Sequence, residues 1–156
     1  MDEKLNKKAV VTLLNKILEI ELANVVRYTH YALMIFGYNR IPIVAWLRTQ
    51  ATESLLHANE AGEMITSLGG HPSLGIGPLP ETHQHDIGDI LEESLELERE
   101  GLQLYRELLD LARDRSVVIE EYARRMIFAE ETHVTEVDKM LRAPGDVAPF
   151  RGRRSK

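Results

Sequence analysis

One stretch of this 156-residue chain constrains its fold more than any other. Between Gly69 and Pro80 stand four glycines and three prolines: Gly69, Gly70, Pro72, Gly75, Gly77, Pro78 and Pro80. Glycine and proline punctuate regular structure, so this segment reads as a loop that runs on to about His85. No other breaker segment is as long. It leaves four long segments, about 4–37, 42–68, 86–113 and 116–142. Two short joints divide them within each half. Gly37-Tyr38-Asn39-Arg40-Ile41-Pro42 ends on a proline suited to the first turn of a helix. Asp114-Arg115-Ser116 ends on a serine suited to an N-cap.

All four segments are rich in Leu, Ile, Ala, Glu and Arg, which favour helix. Each carries an apolar stripe at three- to four-residue spacing. The first reads Leu14, Ile17/Leu18, Val25, Tyr28, Ala32, Ile35. The third reads Leu91, Leu95, Leu102, Tyr105, Leu109, and the fourth Ile119, Ala123, Met126, Val137, Met140/Leu141. No alternating strand pattern competes, so the expected class is all-α. Short joints make antiparallel hairpins of the first two and the last two segments. The stretch 69–85 crosses between them, giving a four-helix bundle with one long crossover. Residues 1–143 are expected to form this single domain. Residues 144–156 are expected to form a flexible basic tail.

The charge is uneven. The net charge is −6, yet Arg142, Arg151, Arg153, Arg154 and Lys156 face only Asp146 near the C-terminus. That end is about +4 and the rest about −10. An acidic body with few aromatics argues against a nucleic-acid-binding core, leaving only a contact through the tail. With no cysteine there is no disulfide scaffold and no thiolate metal site. Any metal must be held by histidine and carboxylate. The N-terminus does not read as a signal peptide, and no apolar run is long enough to span a membrane. The expected location is cytoplasmic.

The stripes are interrupted by ionisable groups. Glu21 stands between Leu18 and Val25, and Glu98 between Leu95 and Leu102. Glu130 and His133 stand between Met126 and Val137, and His57 lies on the inner face of the second segment. All fall within about four residues of their segment's midpoint, so they form one layer at mid-height. Burying even one ion costs several kcal/mol, so such a cluster needs a counter-charge. Hard and borderline divalent metals accept this mixture of oxygen and imidazole nitrogen. Glu130 and His133, three residues apart, share a helix face and can reach one ion. A Glu from each of two helices plus a Glu-x-x-His from each of the other two is the pattern of a two-metal carboxylate site.

At this point the chain resembles the bacterioferritin branch of the ferritin-like superfamily, over about residues 5–141. The segments that carry the resemblance are LNKILEIELANVVRY, HANEAGEMITSLGG after His57, LELEREG and EETH. The resemblance implies a ferritin-like fold and two iron ions per bundle, with Mn or Zn also compatible. It implies oxidation of Fe(II) by O2 or H2O2, iron storage or detoxification, and assembly into a homo-oligomer. Its ligands match Glu21, His57, Glu98, Glu130 and His133. Glu21 would hold one side, Glu98 and Glu130 would bridge, and His57 and His133 would each cap one ion. Tyr28, seven residues past Glu21, matches a tyrosine beside that site, with a redox role implied.

Three departures from the family pattern stand out. The residue three before His57 is Ser54, where the family has Glu. Glu53, four before His57, either supplies that carboxylate from another angle or faces outward and leaves the site incomplete. Leu55 replaces the methionine that binds haem in bacterioferritins, so no haem is expected there. No fifth C-terminal helix follows Leu141, which points to a smaller shell or a dimer. Two other functions share this pattern: a rubrerythrin- or symerythrin-like oxidase or peroxidase without storage, and a Dps-like metal- or DNA-protecting shell. Tyr31 and Tyr105 read as core, and His71, His83 and His85 as a solvated loop.

Overall fold

The structure is a computed structural model that describes residues 4–152. Arg153, Arg154 and Lys156 of the basic tail lie outside the described residues. Four helices account for most of the chain: α1 (Lys7–Met34), α2 (Arg40–Ser67), α3 (Ile87–Ala112) and α4 (Val117–Leu141). Among the described residues there is no strand and no helix after Leu141. The all-α four-helix bundle with one long crossover is therefore the observed fold.

Local chemistry sets the boundaries. Asn6 caps α1 by accepting from the Ala9 amide, Asp86 caps α3 through Asp89, and Ser116 caps α4 through Ile119. Each side-chain oxygen satisfies an amide that the first helical turn leaves unpaired. Helix α2 starts two residues before Pro42, so the proline occupies its first turn. Gly69, with φ of +77°, turns the chain out of α2 in a conformation costly for other residues.

The crossover from 68 to 86 climbs α1 as an extended strap. Asn15 holds it at both His71 and Ser73, and Glu19 accepts from the Ser73 hydroxyl and the Gly77 amide. Further along, Arg27 donates to the Pro78 carbonyl, and His30 pairs with Glu81 at 3.1 Å. A Cβ on Gly77 would stand 3.2 Å from the Glu19 carbonyl oxygen, so the strap lies this close because glycine is there. Its course returns the chain to the end of the bundle where α1 finishes. As a result α3 runs antiparallel to α1.

Apolar packing falls into two ends. One end joins the start of α1, the ends of α2 and α3 and the start of α4, around Leu14, Ile17, Ile65, Tyr105, Leu108 and Met126. The other joins Tyr28, Tyr31, Ile35, Leu47 and Ile90 with a smaller group of Leu91, Leu95 and Val137. Between these ends lies a layer of buried polar groups. Past α4 the chain folds back on buried Asp138, which accepts from the Arg142 guanidinium and the Phe150 amide. No helix among the described residues is long and apolar enough to cross a membrane.

Candidate metal centre

Every helix contributes to the polar layer. Glu21 on α1, His57 on α2, Glu98 on α3 and Glu130 on α4 are each less than 9% exposed. The His133 side chain, one turn beyond Glu130, is 11% exposed. Such burial of charged side chains is rare unless they are paired. Here they pair with one another. His57 Nδ1 lies 3.2 Å from Glu130 Oε1 and 3.7 Å from Glu21 Oε1. These three residues offer ligand atoms all within 4.8 Å of one another, an arrangement able to hold a metal ion.

The α3 side of the layer is built differently. The Tyr28 hydroxyl donates to Glu98 Oε1 at 2.5 Å and lies 3.2 Å from His133 Nε2. His133 Nε2 is 3.8 Å from the same Glu98 oxygen. Glu130 neighbours Glu98 closely enough to raise its carboxyl, so it borders both sides of the layer. Opposite, the Tyr105 hydroxyl donates to Glu21 Oε1 at 2.9 Å. The two tyrosines are thus crossed: the one on α1 serves the glutamate of α3, and the one on α3 serves the glutamate of α1. Helical side chains lean toward the N-terminus, and α1 and α3 are antiparallel. Tyr28 and Tyr105 therefore enter the layer from opposite ends of the bundle.

Without metal, the electrostatics of the layer are unfavourable to free carboxylates. Burial pushes the Glu98 carboxyl well above its ordinary range, and its neighbour Glu130 adds to the rise. Burial also raises Glu21, partly offset by the hydrogen bond and charge of His57. For His57, burial pulls downward, but the hydrogen bonds to Glu130 and Glu21 together outweigh it, lifting the imidazole to about 10. Burial first, then Glu98, holds Tyr28 as a phenol. These are the shifts expected of carboxylates crowded out of water. A divalent cation accepts every donor type present, and its charge replaces the protons.

Helix α2 contributes less than the others. Ser54 is buried at the flank of His57 that faces the layer. The Glu53 side chain is 45% exposed and lies 3.9 Å from His57 Nε2, the ring nitrogen other than the one facing Glu21 and Glu130. Two supporting groups escape a reading of the sequence. Trp46 stacks on the His133 ring with planes 2° apart and centroids 5.6 Å apart. Tyr105, read as core, reaches Glu21. A signal for the second existed, because Tyr105 follows Glu98 by the same seven residues that separate Tyr28 from Glu21.

A model of the ferritin-like domain matches residues 11–144. The chain belongs to the ferritin-like family. Among the curated proteins none matches it. Among solved structures this ferritin-like chain is similar to a ferritin-like, diiron-carboxylate protein of Bacillus anthracis str. Ames. That likeness has a TM-score of 0.82 at 23% identity, over 87% of this chain and 97% of the other. It is similar to a dodecameric thioferritin, the bacterioferritin-related protein of Bacteroides fragilis, with a TM-score of 0.81 at 22% identity. There the match covers 88% of this chain and 87% of that one. A bacterioferritin of Rhodobacter capsulatus matches at 26% identity with a TM-score of 0.76, over 89% of this chain and 86% of that one. The resemblance to the bacterioferritin branch is borne out.

Proposed function

We propose that this chain binds two Fe(II) ions as substrate in the mid-height layer and oxidises them with O2 or H2O2. The observation that carries this reading is the single buried layer formed by Glu21, His57, Glu98, Glu130 and His133. Glu21 and His57 hold one ion; Glu98 and His133, 3.8 Å apart, hold the other, so in this reading Glu130 alone keeps the bridging role that the resemblance implied for both glutamates. Each Fe(II) gives up one electron. H2O2 takes the two electrons with two protons and leaves as two waters; O2 takes the same and leaves as H2O2. The residues fix the ions side by side, so a two-electron oxidant meets two one-electron donors at once. Iron is the implied metal, and Mn or Zn fits the same donors. No haem is assigned to α2, because Leu55 stands at the position of the family's haem methionine.

The physiological outcome we assign is iron storage or detoxification by a homo-oligomer in the cytoplasm. The dodecameric state of the Bacteroides fragilis protein supports assembly of this chain into a homo-oligomer. A second reading, an oxidase or peroxidase that shares the site but stores no iron, is favoured by one observation: no fifth helix follows Leu141 among the described residues. Size-exclusion chromatography after iron loading separates the two. A mineral-filled shell supports storage, whereas a small oligomer with about two irons per bundle supports the second reading.

The activity itself is tested with the double variant Glu98→Ala, Glu130→Ala. Loss of Fe(II)-dependent oxygen and peroxide consumption is the expected result. Unchanged consumption overturns the assignment.

A further inference from the structure

Helices α1 and α3 repeat one pattern where they face each other. On α1 the order is Ile20, Glu21, Asn24, Tyr28; on α3 it is Leu97, Glu98, Gly101, Tyr105, at the same spacing. Asn24 and Gly101 each stand three residues past a carboxylate of the layer. Each therefore lies about 60° around its helix from that carboxylate. Where α1 carries an amide, α3 carries no side chain. Gly101 is buried, yet a Cβ built on it would meet nothing within 4 Å. A buried glycine with open space beside it borders a void.

That void continues a cavity that reaches the surface. The cavity, about 240 Å³, lies between α1, α3 and the crossover strap, and is lined by Ile20, Asn24, Arg27, Pro78, Leu97 and Glu100. Leu97 and Gly101, four residues apart, point within about 40° of each other. The glycine thus extends the Leu97 wall inward, on the side of α3 that carries Glu98. The strap is fixed above it, since Gly77 donates to the Glu19 carbonyl and Arg27 donates to the Pro78 carbonyl. Asn24 is only 5% exposed, and its side-chain amide has no hydrogen-bond partner among the described residues. Buried polar groups are almost always partnered, so an amide left open beside a cavity points to a polar guest.

Size and charge narrow the class of guest. Pockets for drug-sized ligands run to about 300–1,000 Å³, so this one is too small for an organic cofactor. It is ample for a molecule a few times the size of water, which takes about 30 Å³. The inner walls are uncharged, and the two charged residues, Arg27 and Glu100, have opposite signs. Nothing in the lining favours a cation over a neutral molecule. The Asn24 amide both donates and accepts, which suits a guest that does both.

We propose that this cavity is the entry passage for H2O2. The peroxide enters between the strap and α3, is held at the Asn24 amide, and passes beside Gly101 to the mid-height layer. The proposal rests on the reading of that layer as a site of Fe(II) oxidation, and it names the oxidant and its route. No bond is made or broken in the passage; the electrons move only at the layer.

The test is stopped-flow oxidation of the full chain, loaded anaerobically with two equivalents of Fe(II) and mixed with H2O2. Gly101→Leu fills the inner end of the cavity. It is expected to lower the second-order rate constant at least about tenfold, a barrier increase of about 1.4 kcal/mol. Both Co(II) equivalents should still bind within about threefold of wild type, well short of the loss caused by disturbing a ligand's support. Leu97→Trp obstructs the same cavity from a half-buried position and is expected to slow the reaction likewise; it decides the matter where Gly101→Leu fails to fold. Asn24→Leu keeps the volume, removes the amide, and is expected to slow oxidation by H2O2 more than oxidation by O2. Any other pattern in that variant overturns the choice of H2O2 as guest. A wild-type rate in a folded plugged variant, or Co(II) affinity lost in step with the rate, overturns the passage and leaves Fe(II) oxidation standing. A wild-type chain that oxidises Fe(II) with O2 and not with H2O2 also overturns the passage alone. Oxidation by neither overturns both readings.

Discussion

Helix α4 sends a carboxylate and an imidazole into the polar layer three residues apart, whereas α2 sends an imidazole alone. The difference is one of helical angle. Successive residues turn by about 100°, so Ser54 lies about 60° to one side of His57 and Glu53 about 40° to the other. The layer lies on the Ser54 side. A glutamate moved by a single position thus leaves the interior: Glu130 is 5% exposed, while the Glu53 side chain is 45% exposed. A shared helix face, sufficient for two groups on a surface, is insufficient for two ligands of one buried ion. Register decides which carboxylates enter the layer.

The largest effect is expected at the residue that both sides share. Glu130→Ala removes the oxygen 3.2 Å from His57 and the neighbour of Glu98 together. Replacing even a supporting group around a metal ligand costs roughly 10–100-fold in affinity or activity. Glu130→Ala is expected to exceed that range in Fe(II) oxidation and to abolish binding of both metal equivalents, measured by calorimetric titration with Co(II). Retention of one tight equivalent would divide the layer into two independent sites and remove Glu130 from its shared role.

Next in size is the attempt to make α2 resemble α4. Ser54→Glu places a fourth carboxylate on the flank facing the layer. Without metal it adds a buried charge beside three others, at a cost of several kcal/mol. With metal, that charge gains a partner. The expected outcome is a lower melting temperature in chelator and recovery to or above the wild-type value with Mn(II) or Fe(II), read by scanning calorimetry. A melting temperature equally depressed with and without metal would show that the new carboxylate does not reach the ion.

The sequence makes the shared architecture legible and the register difference less so. The glycines and prolines from Gly69 to Pro80 mark the crossover because backbone restrictions act locally. Ser116 marks the start of α4 because an N-cap is a contact over three residues. Glu21, His57, Glu98 and Glu130 are legible as buried groups because a charged residue inside an apolar stripe has few other meanings. Trp46 on His133 and Tyr105 on Glu21 are less accessible, since each joins residues of different helices whose rotation only packing fixes. For the same reason the sequence leaves Glu53 with two readings.

The Trp46 contact allows the α4 side of the comparison to be tested by itself. Trp46 is partly buried, packs against both apolar groups at its end of the bundle, and stacks on His133. Complete burial of such a ring makes its truncation cost about 3–5 kcal/mol, so Trp46→Ala is expected to cost about 2 kcal/mol in urea unfolding. It also frees the His133 ring to turn, which is expected to weaken the second metal equivalent more than the first. Equal weakening of both would mean that the stack supports the bundle without orienting a ligand.

The smallest effect is expected at Glu53, and it bears most directly on α2. Glu53→Gln keeps size and removes charge at a half-exposed position, so its effect on stability should remain within about 0.5 kcal/mol. If the glutamate stays outside the layer, both Co(II) equivalents bind within about threefold of wild type, well short of the roughly 10–100-fold that a supporting group commands. A loss of tenfold or more would mean that α2 turns Glu53 inward when metal binds. Its contribution would then match that of α4.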